Sequence, residues 1–441
     1  MKLCIRNGMV ISPANKLEQL ADVYIEDGII TGITNPGERN FHGEYKEISA
    51  SGKWVVPGLI DLHVHFREPG FEYKEDIESG CRAAAKGGFT TVCPMPNTKP
   101  AIDNPELVAF VAKKAMEANG VAVLPIGAIT LGQEGNELSD FEAMKNAPGS
   151  IYALSEDGKS VMDSQIMMQA MKKAKDLNLP IFSHTEDREL AKGGVMNEGE
   201  TARSLGLSGI PSEAEEIIAI RDILLAKNTG CQLHLCHIST KGSVELIRQA
   251  KYYGIPVTAE TAPHYFLLTD KDVIKNGQET GSKRLKADPN WKMNPPLRSE
   301  EDRLEIIKGL KDGTIDVIAT DHAPHHSEEK AKTFQEAPFG IIGLETSFAL
   351  SFTALVKTGI LSPKELISRM SKTPAEILGI DRGVIEVGKT ADLAIIDVEK
   401  EYEINFDSFA SKSRNTPFMG KKVFGQVCYT MVDGKVIYSL E

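Results

Sequence analysis

The sequence predicts an α/β fold, a (β/α)8 TIM-type barrel carrying a small β-sandwich domain built from both chain termini. Three observations lead there. Eight short apolar runs alternate with stretches of helical periodicity through the middle of the chain. Nearly every run ends in a polar, chemically capable residue, and the two ends of the chain resemble each other as strand pairs punctuated by glycine.

The ends come first. Leu3–Ile11 reads as two strand halves around Asn7-Gly8, Tyr24–Ile30 as a pair around Asp27-Gly28, and Met431–Ile437 as a pair around Asp433-Gly434. Such dipeptides favour tight hairpins because Gly, and more weakly Asn and Asp, tolerate positive φ. Ala391–Asp397 adds a strand. The expected division is 1–54 and 385–441 for the small β domain and 55–384 for the barrel.

The barrel runs are Trp54–Leu62, Thr90–Met95, Val121–Ala128, Ile151–Leu154, Leu179–Ser183, Gln232–Cys236, Ile255–Ala259 and Asp316–Thr320. Helical patterns fall at Glu78–Gly87, Pro105–Asn119, Asp163–Asn178, Glu213–Asn228 and Thr240–Tyr253, often closed by Gly or Asn. A doubly wound open sheet would spread the strand ends along an edge. A barrel gathers them on one face, where active sites sit.

Composition bounds the function. The 441 residues are 41% hydrophobic and 25% charged, ordinary for a soluble globular protein. A formal net charge of −12 argues against a general nucleic-acid binder. No run of about 18 apolar residues suggests a membrane span, and Met1–Val10 does not read as a signal peptide. Six scattered cysteines without a CxxC pair suggest mostly buried thiols in a reducing compartment, hence a cytoplasmic location.

The strand ends carry the chemistry. In Asp61-Leu62-His63-Val64-His65, strict alternation sets 61, 63 and 65 on one face, so that two imidazoles at i and i+2 can grip one ion. Asp61 then either orients a ligand or is structural. His184 and His237 end consecutive units and add two imidazoles, which suit zinc and similar divalent ions. Asp157 is either the turn residue before Gly158 or a carboxylate between two ions. Asp321 ends an apolar strand, where an unpaired charge is costly. Four His and two Asp exceed what one catalytic zinc takes and fit two Zn2+. Asn97 follows the second run and His264 the seventh. His234, expected to face the helices, and His42, in the terminal domain, read as structural.

With these residues placed, the chain resembles the amidohydrolase superfamily, and closely the type I bacterial dihydroorotases. The resemblance rests on Asp61–Gly70, Met95-Pro96-Asn97-Thr98, Lys292–Arg298, Ala319–His325, Ala337-Pro338-Phe339-Gly340 and Asn415-Thr416-Pro417-Phe418, and runs along essentially the whole chain. It implies reversible hydrolysis of the cyclic amide of (S)-dihydroorotate to N-carbamoyl-L-aspartate, in pyrimidine synthesis, by a metal-bound hydroxide. Carried over by position, His63 and His65 bind one metal, His184 and His237 the other. Asp157 bridges them, and Asp321 binds metal and shuttles the proton. Arg67, Asn97, Asn294, His325, Phe339 and Gly340 match substrate-binding positions. Many superfamily relatives bridge their metals with a carboxylated lysine. Here Asp157 stands at that strand end, Lys159 is expected on the surface, and Glu156 is expected to face away.

Two other readings are weighed. One is a hydantoinase or allantoinase acting on another cyclic amide. The other is a non-catalytic scaffold that partners aspartate transcarbamoylase. The expected partners are a small-molecule substrate, further copies of the chain in a homo-oligomer such as a dimer, and that transcarbamoylase, with no nucleic acid or membrane. The polar stretch Thr269–Asn290 reads as an inserted excursion.

Overall fold

A computed structural model describes residues 2–38, 41, 43–275 and 286–440. His42 and positions 276–285 of the excursion lie outside the described residues. The eight apolar runs become eight parallel barrel strands: Leu59–Val64, Phe89–Pro94, Ala122–Val123 with Ile126–Ala128, Ala153–Ser155, Ile181–Ser183, Leu233–Leu235, Val257–Thr261 and Val317–Ile318. Leu124-Pro125 splits the third strand, proline having no N–H to give to a ladder. Both halves still pair, Leu124 N donating to Val92 O and Tyr152 N to Pro125 O. The eighth strand returns to the first: Val64 bridges His322, and His65 N donates to His322 O at 2.8 Å. That bond closes the ring.

The helical patterns appear as Ile77–Lys86, Pro105–Ala118, Ser164–Asp176, Glu213–Thr229 and Lys241–Tyr252. Their starts are fixed by side chains that take up the first free N–H groups: Asp76, Asn104, Asp163 and Thr240. Gly230 ends Glu213–Thr229 in the left-handed conformation. One core lies between strands and helices, including Val64, Leu233, Leu235, Ile223 and Ile247. A second fills the barrel itself, with Ile60, Leu62, Cys93, Phe182, Cys236 and Val317.

The termini form one eight-stranded sheet, with Lys2–Ser12 beside Trp54–Pro57 and Leu393–Glu403 beside Lys422–Val432. Strands far apart in its order share one core, Ile5, Ile30, Val55, Leu393 and Met431 among them, as a β-sandwich requires. The run Trp54–Leu62 is two strands. Trp54–Pro57 joins the terminal sheet, and after Gly58 the chain enters the barrel; a Cβ at Gly58 would stand 2.1 Å from Thr90 Oγ1. Asp27-Gly28 and Asp433-Gly434 make the expected hairpins. Asn7-Gly8 does not. Lys2–Ser12 runs straight through, and Asn7, at φ 56°, is the extra residue of a bulge, its N–H bonded to Asp22 Oδ1 at 2.8 Å.

All six cysteines are buried. Among the described residues no helix is long and apolar enough to cross a membrane. Within the excursion Ile274–Lys275 pairs antiparallel with Lys286–Ala287.

Candidate metal centre

The first strand carries His63 and His65, but not by simple alternation. Pairing with the second strand shifts between Asp61 and Val64, so Leu62 turns into the barrel beside Ile60 while Val64 packs outward. Asp61 holds this irregularity: its Oδ1 accepts from His63 N at 3.2 Å and from Thr320 N at 3.1 Å, tying strand one to strand eight. Burial pushes the Asp61 carboxyl up to about 7. It is an anchor of the backbone under the site.

Four imidazoles and two carboxylates meet at the barrel mouth. Asp157 Oδ1 lies 3.3 Å from His63 Nε2, 3.4 Å from His184 Nδ1 and 3.6 Å from His237 Nε2. Its Oδ2 faces His65 Nε2 at 3.6 Å. Asp321 Oδ1 is 3.1 Å from His65 Nε2 and 3.6 Å from His63 Nε2. His184 Nδ1 and His237 Nε2 stand only 2.9 Å apart. His237 and Asp321 hold φ of 36° and 47°, and Arg67 holds 61°, a conformation that is strained for side-chain-bearing residues and common at functional sites.

The electrostatics ask for a cation. Burial would raise the Asp157 carboxyl, yet the imidazoles around it, His63 first, hold it well below the usual carboxylate range. Burial would lower His184, but Asp157 and Glu186 lift it to about 10. Asp321 is likewise held down against burial, chiefly by its hydrogen bond with His65. His63 Nε2 is buried between both carboxylates with no hydrogen-bond partner among the described residues. Imidazole nitrogens and ionised carboxylates converging in this way form a donor set for divalent ions, which would take the place of the protons now held there. Ligand atoms of His63, His65 and Asp321, and of His63, Asp157 and His237, each cluster within 4.8 Å.

The sequence reading missed the support beneath. Glu260, in the strand Val257–Thr261 and just past the seventh run, accepts from His63 Nδ1 at 2.7 Å and meets His234 Nε2 at 3.1 Å. His234 in turn reaches Thr258 Oγ1 at 2.8 Å and packs on Phe182 inside the barrel. It therefore points inward, not at the helices; Leu233 and Leu235 take the helix side. The Glu260 carboxylate fixes the His63 ring so that Nε2 faces the cluster. Glu260→Gln is expected to weaken divalent-metal affinity roughly 10- to 100-fold, read by competition with a chelating indicator. His264 is buried beside Tyr265, and burial lowers it to about 4.

A cavity of about 210 Å3 opens over the cluster, lined by Arg67, Asn97, Asn294, His325, Phe339 and Gly340 with five of the ligand candidates. All expected substrate-side residues are present there, although their groups are not equally free. Asn97 bonds His65 Nδ1 and Asp157 Oδ2, both at 2.9 Å, and so braces two ligand candidates. His325 Nε2 meets Phe339 O at 2.7 Å and its Nδ1 meets Lys74 Nζ at 3.2 Å, a neutral ring holding the wall. Burial and then Arg67 keep His325 well below its ordinary value. Asn294 gives its N–H to Glu186 at 2.8 Å and leaves Oδ1 without a hydrogen-bond partner among the described residues. Arg67 donates to Pro324 O at 3.2 Å; burial lowers it to about 10, still charged at neutral pH. Lys159 is exposed, and Glu156 turns to Thr130 N at 3.1 Å, both away from the cluster. A larger cavity, about 410 Å3, lies between Ser347–Ser351 and the terminal sheet, and none of the ligand candidates reaches it.

Known proteins agree with this architecture. Residues 52–243 match the family model described as dihydro-orotase-like. A dihydroorotase of Desulforapulum autotrophicum is 47% identical over 441 residues, all of both chains. One of Ruminiclostridium cellulolyticum is 48% identical over 434 residues, 98% of each. Among solved structures, the L-hydantoinase (dihydropyrimidinase) of Arthrobacter aurescens superposes with a TM-score of 0.84 at 26% identity, over 99% of this chain and 96% of its own. The dihydropyrimidinase of Brevibacillus agri, at 22% identity and TM-score 0.83 over 100% and 95%, shares the fold. Full-length identity near one half, on a barrel whose mouth gathers this donor set, places the chain in the dihydroorotase family of metal-dependent cyclic amidohydrolases.

Proposed function

We propose that the chain interconverts (S)-dihydroorotate and N-carbamoyl-L-aspartate, opening the cyclic amide with two Zn2+ ions held per chain. One observation carries the reading: a small cavity sets Arg67 and an unpartnered Asn294 Oδ1 beside the His and Asp cluster. His63, His65 and Asp321 would hold one ion, His184 and His237 the other, with Asp157 between them. A bound divalent pair supplies Lewis acidity and a water that ionises at roughly pH 7.

The chain's own groups do the remainder. Arg67 presents a planar, charged fork suited to the substrate carboxylate. Asn294 Oδ1 accepts from a ring N–H. Asp321, ionised and buried, takes the proton from water as its oxygen adds to the ring carbonyl carbon. It then delivers that proton to the ring nitrogen as the C–N bond breaks. Asn97 and Glu260 act through the imidazoles, keeping their nitrogens aimed. Closure of the ring runs the same steps in reverse.

A cytoplasmic location, a homodimer and pairing with aspartate transcarbamoylase belong to the same proposal; size-exclusion chromatography of the chain alone and mixed with that enzyme reads out both associations. The substrate assignment is tested by offering metal-loaded protein dihydroorotate, hydantoin and allantoin separately. Formation of N-carbamoyl-aspartate is expected. Turnover of hydantoin or allantoin alone would reverse the assignment.

A further inference from the structure

Two lysines behind the cavity wall have no part in the chemistry above. Lys292 is 2% exposed and Lys330 7%. Buried lysines ordinarily sit against carboxylates, because an isolated ammonium is costly to take out of water. Among the described residues, every hydrogen bond of either ammonium goes to the main chain. Lys292 Nζ donates to the carbonyls of Phe334 at 2.7 Å, Gln335 at 3.1 Å and Ala337 at 2.7 Å. Lys330 Nζ donates to those of Lys292 at 3.2 Å, Pro338 at 3.1 Å and Gly340 at 3.0 Å.

These carbonyls belong to the loop that forms the wall. Gly340 N donates back to Lys292 O at 2.9 Å, and Lys292 Nζ lies 4.5 Å from the centre of the Phe339 ring. Gly340 O is shared with Asn415 Nδ2 at 3.0 Å. A side chain at Gly340, where φ is 132°, would stand 2.8 Å from Ala323 Cβ, so the loop approaches the site as closely as backbone can. Both ammonium groups are thus one residue removed from the cavity.

Among the described residues neither ammonium is hydrogen-bonded to a carboxylate, and Asp288 is the acid whose charge acts on Lys330. Lys74, the other lysine at this wall, pairs with Glu329 at 3.1 Å. The carboxylates facing the cavity, Asp157 and Asp321, are engaged by imidazoles on the far side. Burial lowers Lys330 to about 7 and Lys292 to about 8, a cost to these charges that an anion in the cavity would relieve.

We propose that Lys330, with Lys292, determines specificity for an anionic ring. The pair fixes the Phe339–Gly340 loop and presents positive charge, hydrogen-bonded to the main chain rather than to a carboxylate, through that thin wall to the carboxylate held at Arg67. The inference rests on the substrate reading above, and adds two positioning residues to it. A brace without electrostatic effect would hold every ring equally; a charge acts only on the anionic one.

The test compares wild type, Lys330→Met and Lys330→Arg as metal-loaded full chains. KM and kcat are measured for dihydroorotate, and Ki for 5,6-dihydrouracil, the same ring without the carboxylate. Lys330→Met is expected to raise KM for dihydroorotate roughly tenfold, more than it lowers kcat, while Ki for dihydrouracil stays unchanged. Lys330→Arg should restore KM. Equal rises in KM and Ki, or no change in either, would overturn the inference. Should Lys330→Met fail to fold, judged by melting and metal content, Lys292→Met is read against the same outcomes. A wild type inert toward dihydroorotate overturns the substrate reading itself, whereas an active wild type with an indifferent Lys330→Met overturns this inference alone.

Discussion

Asp157→Ala is expected to lose both metal and turnover, activity falling by about a thousandfold or more while the barrel still folds. One carboxylate oxygen of Asp157 stands within 3.6 Å of three imidazoles, and the other faces a fourth. Without it, four imidazoles face each other with Asp321 as the remaining facing carboxylate, and cations brought close together there would repel without a bridge. Metal analysis after dialysis against a fixed free-metal level should find fewer ions per chain than in wild type. Lys159→Ala is the control: that side chain is exposed, two residues beyond the strand end, and its loss should change neither quantity measurably. A dead lysine variant beside a live Asp157→Ala would assign the bridge to the wrong residue.

Asp321→Asn should separate metal binding from chemistry. The amide keeps an oxygen near His65, so most of the bound metal should remain. The group that carries the proton from water to the leaving nitrogen is gone. A positioned acid or base contributes about 10²- to 10⁴-fold, and kcat should fall by that order with KM less affected. The wild-type carboxyl is held below its usual value, chiefly by His65 against burial, so it is ionised across the neutral range. Activity relying on it as a base is therefore present above its folded value and lost as pH falls through that value. Asp321→Asn should remove that limb of the rate profile along with the rate.

Much of this was legible in the sequence because barrel strands announce themselves twice, once by their apolar run and again by the polar residue at the end. His63, His65, Asp157, His184, His237 and Asp321 all lie at such ends, and the fold brings them within a few ångströms. What escaped has physical causes. Alternation fails at Asp61–His65, because a side-chain bond from Asp61 to Thr320 N replaces part of the ladder and lets Leu62 and His63 both turn inward. His234 and His237 both reach the barrel interior because the chain leaves strand geometry at His237, at φ 36°. Glu260 directly follows the seventh run, a position that by itself does not separate a metal ligand from a residue that aims one; its distance to His63 does. Asn97 and His325 were placed at the cavity from the sequence, but their engagement with Asp157 and Phe339 depends on loops whose paths no local pattern encodes. Asn7-Gly8 carries a hairpin's dipeptide, yet pairing of both flanks with Leu17–Glu26 turns it into a bulge.

The central claim is that His63 and its neighbours form a two-metal centre on which activity depends. Titrating metal-free protein with Zn2+, while recording bound ions per chain and dihydroorotate turnover on the same samples, tests it most directly. Turnover should be absent without metal and reach its full value at two ions per chain. Full turnover by the metal-free chain, or a plateau at one ion with no second bound, would contradict it.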